Sequence, residues 1–165
     1  MWLVIFCNLL VKCNVNNEPI DCPSPLTGNL LESELQLVGT WKISGITSDI
    51  EVDITNDSEN NPSTDFFSQS DDCTKDAIYT FNENRTYTYE TGSETDGCIK
   101  NTASGTWQLS QEDLVLVVSC GSIGYDITFN EDGSQFSYTL SLDVQEVNAV
   151  VTRASITFTF SKEEN

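Results

Sequence analysis

The residues of this chain that could do chemistry are unevenly supplied. It has six cysteines and 26 Asp and Glu against 7 Lys and Arg, and it has no histidine. Lack of histidine removes the usual general base, the commonest metal ligand and any Ser-His-Asp or Cys-His arrangement. The carboxylates gather as Asp53, Asp57 and Glu59, and as Asp71 and Asp72, where calcium would be the natural cation. Neither group has the Asp-x-Asp-x-Asp-Gly spacing of a dedicated calcium loop, and both read as solvated loop. Glu83, Asp96 and Glu131 fall in predicted turns, with no reason to be buried. The expectation is a protein that is not an enzyme and holds no metal and no cofactor.

A net charge of −19 narrows the partners. Nucleic acid binding needs clustered cations to neutralise phosphates, and none are present. Peripheral binding to anionic headgroups is disfavoured for the same reason. Strong acidity suits solubility in an extracellular medium. Cys22, Cys73, Cys98 and Cys120 form an even set without a CxxC pair, which points to disulfides rather than zinc. Four cysteines allow three connectivities, all open at this point.

Residues 1–13 read as a signal-type segment. Trp2 to Phe6 and Leu9 to Val11 are apolar but too short to span a bilayer, as in the h-region of a secretory signal, although no Lys or Arg precedes them. Leu10, three residues before Cys13, resembles a bacterial lipoprotein cleavage site, with Lys12 where a small residue is usual. That resemblance implies acylation of Cys13, contact with a membrane only through this anchor, and attachment at the outer membrane; simple secretion is the alternative. Residues 14–35, opening with Asn14 to Pro19, read as a tether and lead-in, with one helical turn at Glu32-Ser33-Glu34. Residues 36–162 form the folded domain.

Within that domain, short alternating segments are separated by turn chemistry. The first begins near Leu37, with Trp41 and Ile43 on one face and Lys42 and Ser44 on the other. Ile50 to Ile54 continues it or stands alone. Residues 55–72 are a long, acidic, Pro-interrupted loop, of the kind that is functional or mobile. Three hairpins follow: 77–81 with 85–90, 103–109 with 114–118, and 123–129 with 135–142. Val147 to Phe160 is the last strand. Strand after strand shows one apolar and one Thr/Ser-rich face, the mark of a single sheet closed on itself. The expected fold is therefore all-β, an eight-stranded antiparallel up-and-down β-barrel.

The run Leu37-Val38-Gly39-Thr40-Trp41, the second Gly105-Thr106-Trp107, and Asp72-Cys73 with Tyr79-Thr80-Phe81 carry a resemblance to lipocalin-like domains of bacterial cell-envelope lipoproteins. It spans residues 26–162. The resemblance implies a calycin-type barrel, a first-strand Trp that plugs the closed end, and a possible interior site for a small apolar molecule. Interior candidates for such a site are Trp41, Tyr79, Tyr89, Trp107, Tyr125, Phe136, Tyr138 and Phe158; Phe66 and Phe67 are candidates for a lid. In animal lipocalins an Arg near the last strand packs on that Trp, and Arg153 is the one candidate, on a face that looks outward. The alternative function is a structural or protein-interaction module with a filled core.

Up-and-down topology then orders the cysteines. Cys73, Cys98 and Cys120 fall at one end of the barrel, the end that receives the long loop. Cys73 and Cys98 flank one hairpin and form the expected bridge; Cys22 with Cys120 is the residual pair, which requires the N-terminal segment to run back along the barrel. The Cys13 reading has a direct check. The protein should fractionate with membranes and Cys13→Ser should release it; a soluble mature chain that keeps Met1 would contradict acylation.

Overall fold

Among the described residues, the period-two alternation of the sequence becomes nine strands in one antiparallel sheet. The computed structural model describes residues 21–55, 57–147 and 150–164; Cys13 and the rest of the signal-type segment lie outside them. A 3-10 helix, Glu32–Leu37, leads into β1 (Gly39–Val52). Then come β2 (Ser63–Asp65), a helical turn α1 (Phe66–Gln69), β3 (Ile78–Phe81), β4 (Thr86–Thr91), β5 (Asn101–Ser110), β6 (Asp113–Val118), β7 (Gly121–Phe129), β8 (Gln135–Gln145) and β9 (Val151–Lys162). Strands pair in the order β2-β1-β3-β4-β5-β6-β7-β8-β9, and β1 also pairs with β9. Eight strands thus close an up-and-down, lipocalin-like barrel, and β2 adds a short ninth strand beside β1. Among the described residues no helix is long and apolar enough to cross a membrane.

The structure settles one boundary that the sequence reading left open and changes two others. The segment at Ile50 continues β1 as far as Val52, because β2 folds back from the long loop to pair with Thr47 and Val52. The last strand runs from Val151 to Lys162 rather than 147–160, because β8 extends to Gln145 and pairs with Val151. From Cys22 on, the predicted tether is fastened to the barrel: Cys22 is bonded to Cys120 and the Leu26 amide donates to Thr106 Oγ1 at 2.8 Å.

The two Gly-Thr-Trp runs use their glycines differently. Gly39 enters β1 at φ +130, a conformation that side chains rarely adopt. Gly105 sits where a Cβ would lie 1.9 Å from the Val117 carbonyl oxygen, so it permits the close approach of β5 and β6. Both tryptophans are completely buried and both indole N–H groups are satisfied, Trp41 by Leu37 O at 2.7 Å and Trp107 by Asn82 O at 3.1 Å. Lys162 Nζ, not Arg153, stands over the Trp41 ring, 5.1 Å from its centroid. Arg153 lies on the outer face and pairs with Asp143 at 2.9 Å.

The floor of the barrel is closed by one ion pair. Arg85, in the β3–β4 turn at φ +67, and Glu34, in the 3-10 helix, are both buried. Arg85 Nη1 and Nη2 donate to Glu34 Oε1 and Oε2, each at 2.8 Å. The remaining guanidinium hydrogens go to the carbonyls of Gly28, Asn29 and Trp107. Glu34 also accepts the amides of Leu31 and Leu109. Burial pushes the Glu34 carboxyl up, but Arg85 and the two amides outweigh it and hold the group below its ordinary range.

A carboxyl held low in the folded state stabilises it above the unfolded pKa, near 4, and the stabilisation is lost as pH falls through the folded value. Thermal melts should therefore be flat from neutral pH to about 5 and fall steeply below about 4. Glu34→Gln leaves Arg85 buried without its counter-charge and should cost about 3–5 kcal/mol at neutral pH. Its acid limb should be shallower than wild type; an unchanged limb would show that other carboxylates set the acid transition.

Candidate functional site: a cavity at the barrel mouth

Aromatic side chains fill the barrel from the floor upward. Trp41, Phe81, Trp107, Phe136 and Phe160 are fully buried. Phe136 meets Trp41 edge-on at 5.0 Å and stacks on Phe160 at 5.1 Å between centroids, spacings typical of favourable ring pairs. Above this layer four tyrosines converge. Tyr79 packs on Tyr89 at 4.4 Å, Tyr125 on Tyr138 at 4.5 Å, and Tyr138 on Phe158 at 5.4 Å. Burial, reinforced by the neighbouring phenols, pushes the Tyr79 and Tyr138 hydroxyls well above their ordinary range. They stay neutral at any physiological pH and act only through hydrogen bonds.

A cavity of about 350 Å³ lies over these rings. Its walls are Ile43 and Ile46 of β1, Tyr89 and Thr91 of β4, Tyr138 and Leu140 of β8, and Phe158 of β9; Cys73, Thr74 and Ala77 roof it from the loop before β3. Of the eight interior candidates, Tyr89, Tyr138 and Phe158 border this space. Tyr79 and Tyr125 back the bordering rings, while Trp41, Trp107 and Phe136 belong to the packed floor. The strands add Ile43, Ile46, Thr91 and Leu140, and the loop before β3 adds Cys73, Thr74 and Ala77. A wider hollow of about 950 Å³ lies outside the floor, lined by polar Gln36, Ser110, Gln111, Glu112, Asp113 and Asp126. It is an acidic surface groove.

Phe66 is buried in the core and Phe67 packs against it, so the lid reading needs correction. Asp65 caps the helical turn through the Ser68 amide at 3.0 Å. Gln69 accepts from the Ile54 amide and donates to the carbonyls of Val52 and Ser63. The loop is bonded down beside β1, and its aromatic pair closes that flank of the barrel as a fixed wall.

The adjoining rim, where Lys75 Nζ stands 5.7 Å from the Phe67 ring centroid, is built by Asp76 and a disulfide. Asp76 is buried and accepts the amides of Gly92, Glu94 and Thr95 at 2.5, 3.3 and 3.2 Å. Burial raises its carboxyl, and the three amides more than reverse that, so it stays ionised. Nothing in the sequence separates Asp76 from the other acidic loop residues. Cys73 is bonded to Cys98, with Cα atoms 5.6 Å apart, and Cys22 to Cys120 at 4.6 Å. The chemistry on offer is apolar burial with a few phenolic and threonine hydroxyls. Among the described residues, no group of three or more His, Cys, Asp or Glu is placed to hold a metal ion.

Cys73–Cys98 closes a loop across 25 residues, worth on the order of 3 kcal/mol by loop-closure entropy. Replacing both by alanine should lower stability by about that amount in urea titrations, and should speed hydrogen exchange in residues 92–98 while leaving the floor protected. Equal loss of protection at the floor would show that rim and floor unfold as one unit.

A family model described as "Domain of unknown function (DUF5004)" matches residues 16–163. No curated protein matches the chain.

Proposed function

For this chain, which belongs to the DUF5004 family, we propose a role as an extracytoplasmic barrel that binds one small, neutral, mainly apolar molecule at its mouth. The observation that carries the reading is the cavity of about 350 Å³ above the tyrosine layer, near the lower end of the roughly 300–1,000 Å³ range of ligand pockets. Ile43, Ile46, Leu140 and Phe158 supply apolar wall, and Tyr89, Tyr138 and Thr91 supply hydroxyls for one or two polar groups. A neutral guest fits because the net charge of −19 disfavours anions and, among the described residues, no carboxylate lines the cavity to pair with a cation. The two disulfides belong to an oxidising, extracytoplasmic environment. Acylation at Cys13 would hold the barrel at the cell envelope. The role is carriage or sensing without catalysis.

A second reading, a structural or protein-interaction module, draws on the aromatic packing that fills the lower barrel. Binding of N-phenylnaphthylamine, a neutral fluorescent probe, separates the two. Ligand binding predicts saturable fluorescence enhancement that Leu140→Trp, which fills the cavity, abolishes without lowering the melting temperature. Lack of any saturable signal, with no small molecule found by native mass spectrometry of protein from its own source, would favour the structural module.

A further inference from the structure

The barrel wall is split along one seam. Strands β7 and β8 run nine and eleven residues, yet pair only at Ile127↔Tyr138, Thr128↔Ser137 and Phe129↔Phe136. On their other edges both are paired well beyond this point, β7 with β6 from Gly121 to Asp126 and β8 with β9 from Gln135 to Gln145. Exposure of the inward side chains locates the split. Leu116 and Ile123 lie directly opposite each other on β6 and β7, and they are 2% and 44% exposed. Ala154 and Leu142 are opposite each other on β9 and β8, at 3% and 38%. In each pair the residue bordering the seam is the wet one.

Backbone directions along the seam follow from the bonds that flank it. The Ile127 amide donates to Glu112 O on the β6 side, and the Asn130 amide to Gln135 O on the β8 side. Alternate residues of an antiparallel strand bond to alternate neighbours, so Ser122, Gly124 and Asp126 turn their N–H and C=O groups toward β8; pairing ends at the Asp126 carbonyl, which with Thr139 closes the Ile127↔Tyr138 pair, and Ser122 and Gly124 lie beyond it. The Lys162 amide donates to Ser134 O, so by the same alternation Thr139, Ser141 and Asp143 face β7. The β8 edge is guarded. Arg153 Nη2 donates to the Ser141 carbonyl at 3.3 Å, Nε to Ser141 Oγ at 3.0 Å and Nη1 to Asp143 at 2.9 Å. The stretch of β7 from Gly121 to Asp126 has neither Lys nor Pro, the residues that usually blunt an open edge.

We propose that the β7 edge from Ser122 to Asp126 docks an extended peptide as an added strand, with apolar residues where the peptide faces inward and basic residues where it faces out. Among the described residues, the free groups of this edge are the N–H and C=O of Ser122 and Gly124 and the N–H of Asp126, donors and acceptors in strand register, which another main chain satisfies and an apolar small molecule does not. Inward side chains of the peptide meet Ile123 and Leu142. Outward ones meet Asp126, which lies directly opposite Asp113; a cation there relieves a like-charge pair. A second copy of this chain is a poor occupant, since each carries a net charge of −19.

The test uses a short capped peptide that alternates lysine with valine, and the same peptide N-methylated on the residues whose amides face the edge. The first should slow hydrogen exchange at the amides of Ser122, Gly124 and Asp126. The second keeps charge and side chains but should bind at least roughly tenfold more weakly, the scale of losing more than one backbone hydrogen bond. Gly124→Pro, which removes an edge N–H that the β6 ladder does not use, should weaken the first peptide with near-ultraviolet circular dichroism unchanged. If that variant does not fold, the N-methyl comparison decides alone. Equal affinity of the two peptides, or slowed exchange away from the β7 edge, would overturn the proposal. Protection of the same amides that rises with protein concentration, without peptide, would overturn it in favour of a second copy.

Discussion

The buried pairing of Arg85 with Glu34 is the constraint on which the rest of this barrel depends. Strand pairing closes the wall of a barrel but leaves its floor open, and here the floor is closed by charge. An ion pair taken out of water stabilises a fold only when its remaining donors and acceptors are also met. Arg85 spends all its guanidinium hydrogens on Glu34, Gly28, Asn29 and Trp107, and Glu34 takes two further amides. Four stretches of chain thereby meet at one point: the N-terminal strap, the 3-10 helix, the β3–β4 turn and the end of β5. With the strap, residues 22–31, pinned at the floor, at Thr106 on its way and at Cys120 near the mouth, it runs the length of the wall.

From that floor the interior grades from dry to wet. Indole and phenyl rings in edge and stacked contact leave no room for a guest near Trp41 and Trp107. Higher up the rings are tyrosines, whose hydroxyls make the change from core to cavity tolerable, since each can hydrogen-bond to a neighbour or to a bound molecule. The rim is organised by Asp76, which gathers three amides of the β4–β5 connection, and by the Cys73–Cys98 bridge beside it. Both devices hold irregular backbone in place where the sheet can no longer do so.

The wall is closed unevenly. The β1–β9 and β8–β9 pairings are long, and that side of the barrel behaves as a continuous sheet. The β7–β8 pairing ends after three residue pairs, and two glycines, Gly121 and Gly124, lie in the stretch of β7 that parts from its neighbour. Arg153 has its explanation here. It does not reach Trp41; it lies across the outside of β8 and satisfies groups on the seam. The cation over Trp41 is instead Lys162, at the very end of the last strand.

How much of this was legible depended on the range of the interaction involved. Strand positions, inward faces, eight-strand closure and the end of the barrel to which Cys73, Cys98 and Cys120 belong follow from period-two alternation and turn residues, which are local properties of the chain. Alternation says nothing about where pairing stops, so the extension of β8 to Gln145, the folding back of β2 and the open seam were decided only in three dimensions. The same holds for charge. Glu34 and Asp76 are two among 26 acidic residues, and a carboxylate can be buried only where donors from distant segments converge on it. Sequence determined which residues face inward; tertiary structure decided which charges could follow them, because a buried charge needs partners that no local pattern specifies.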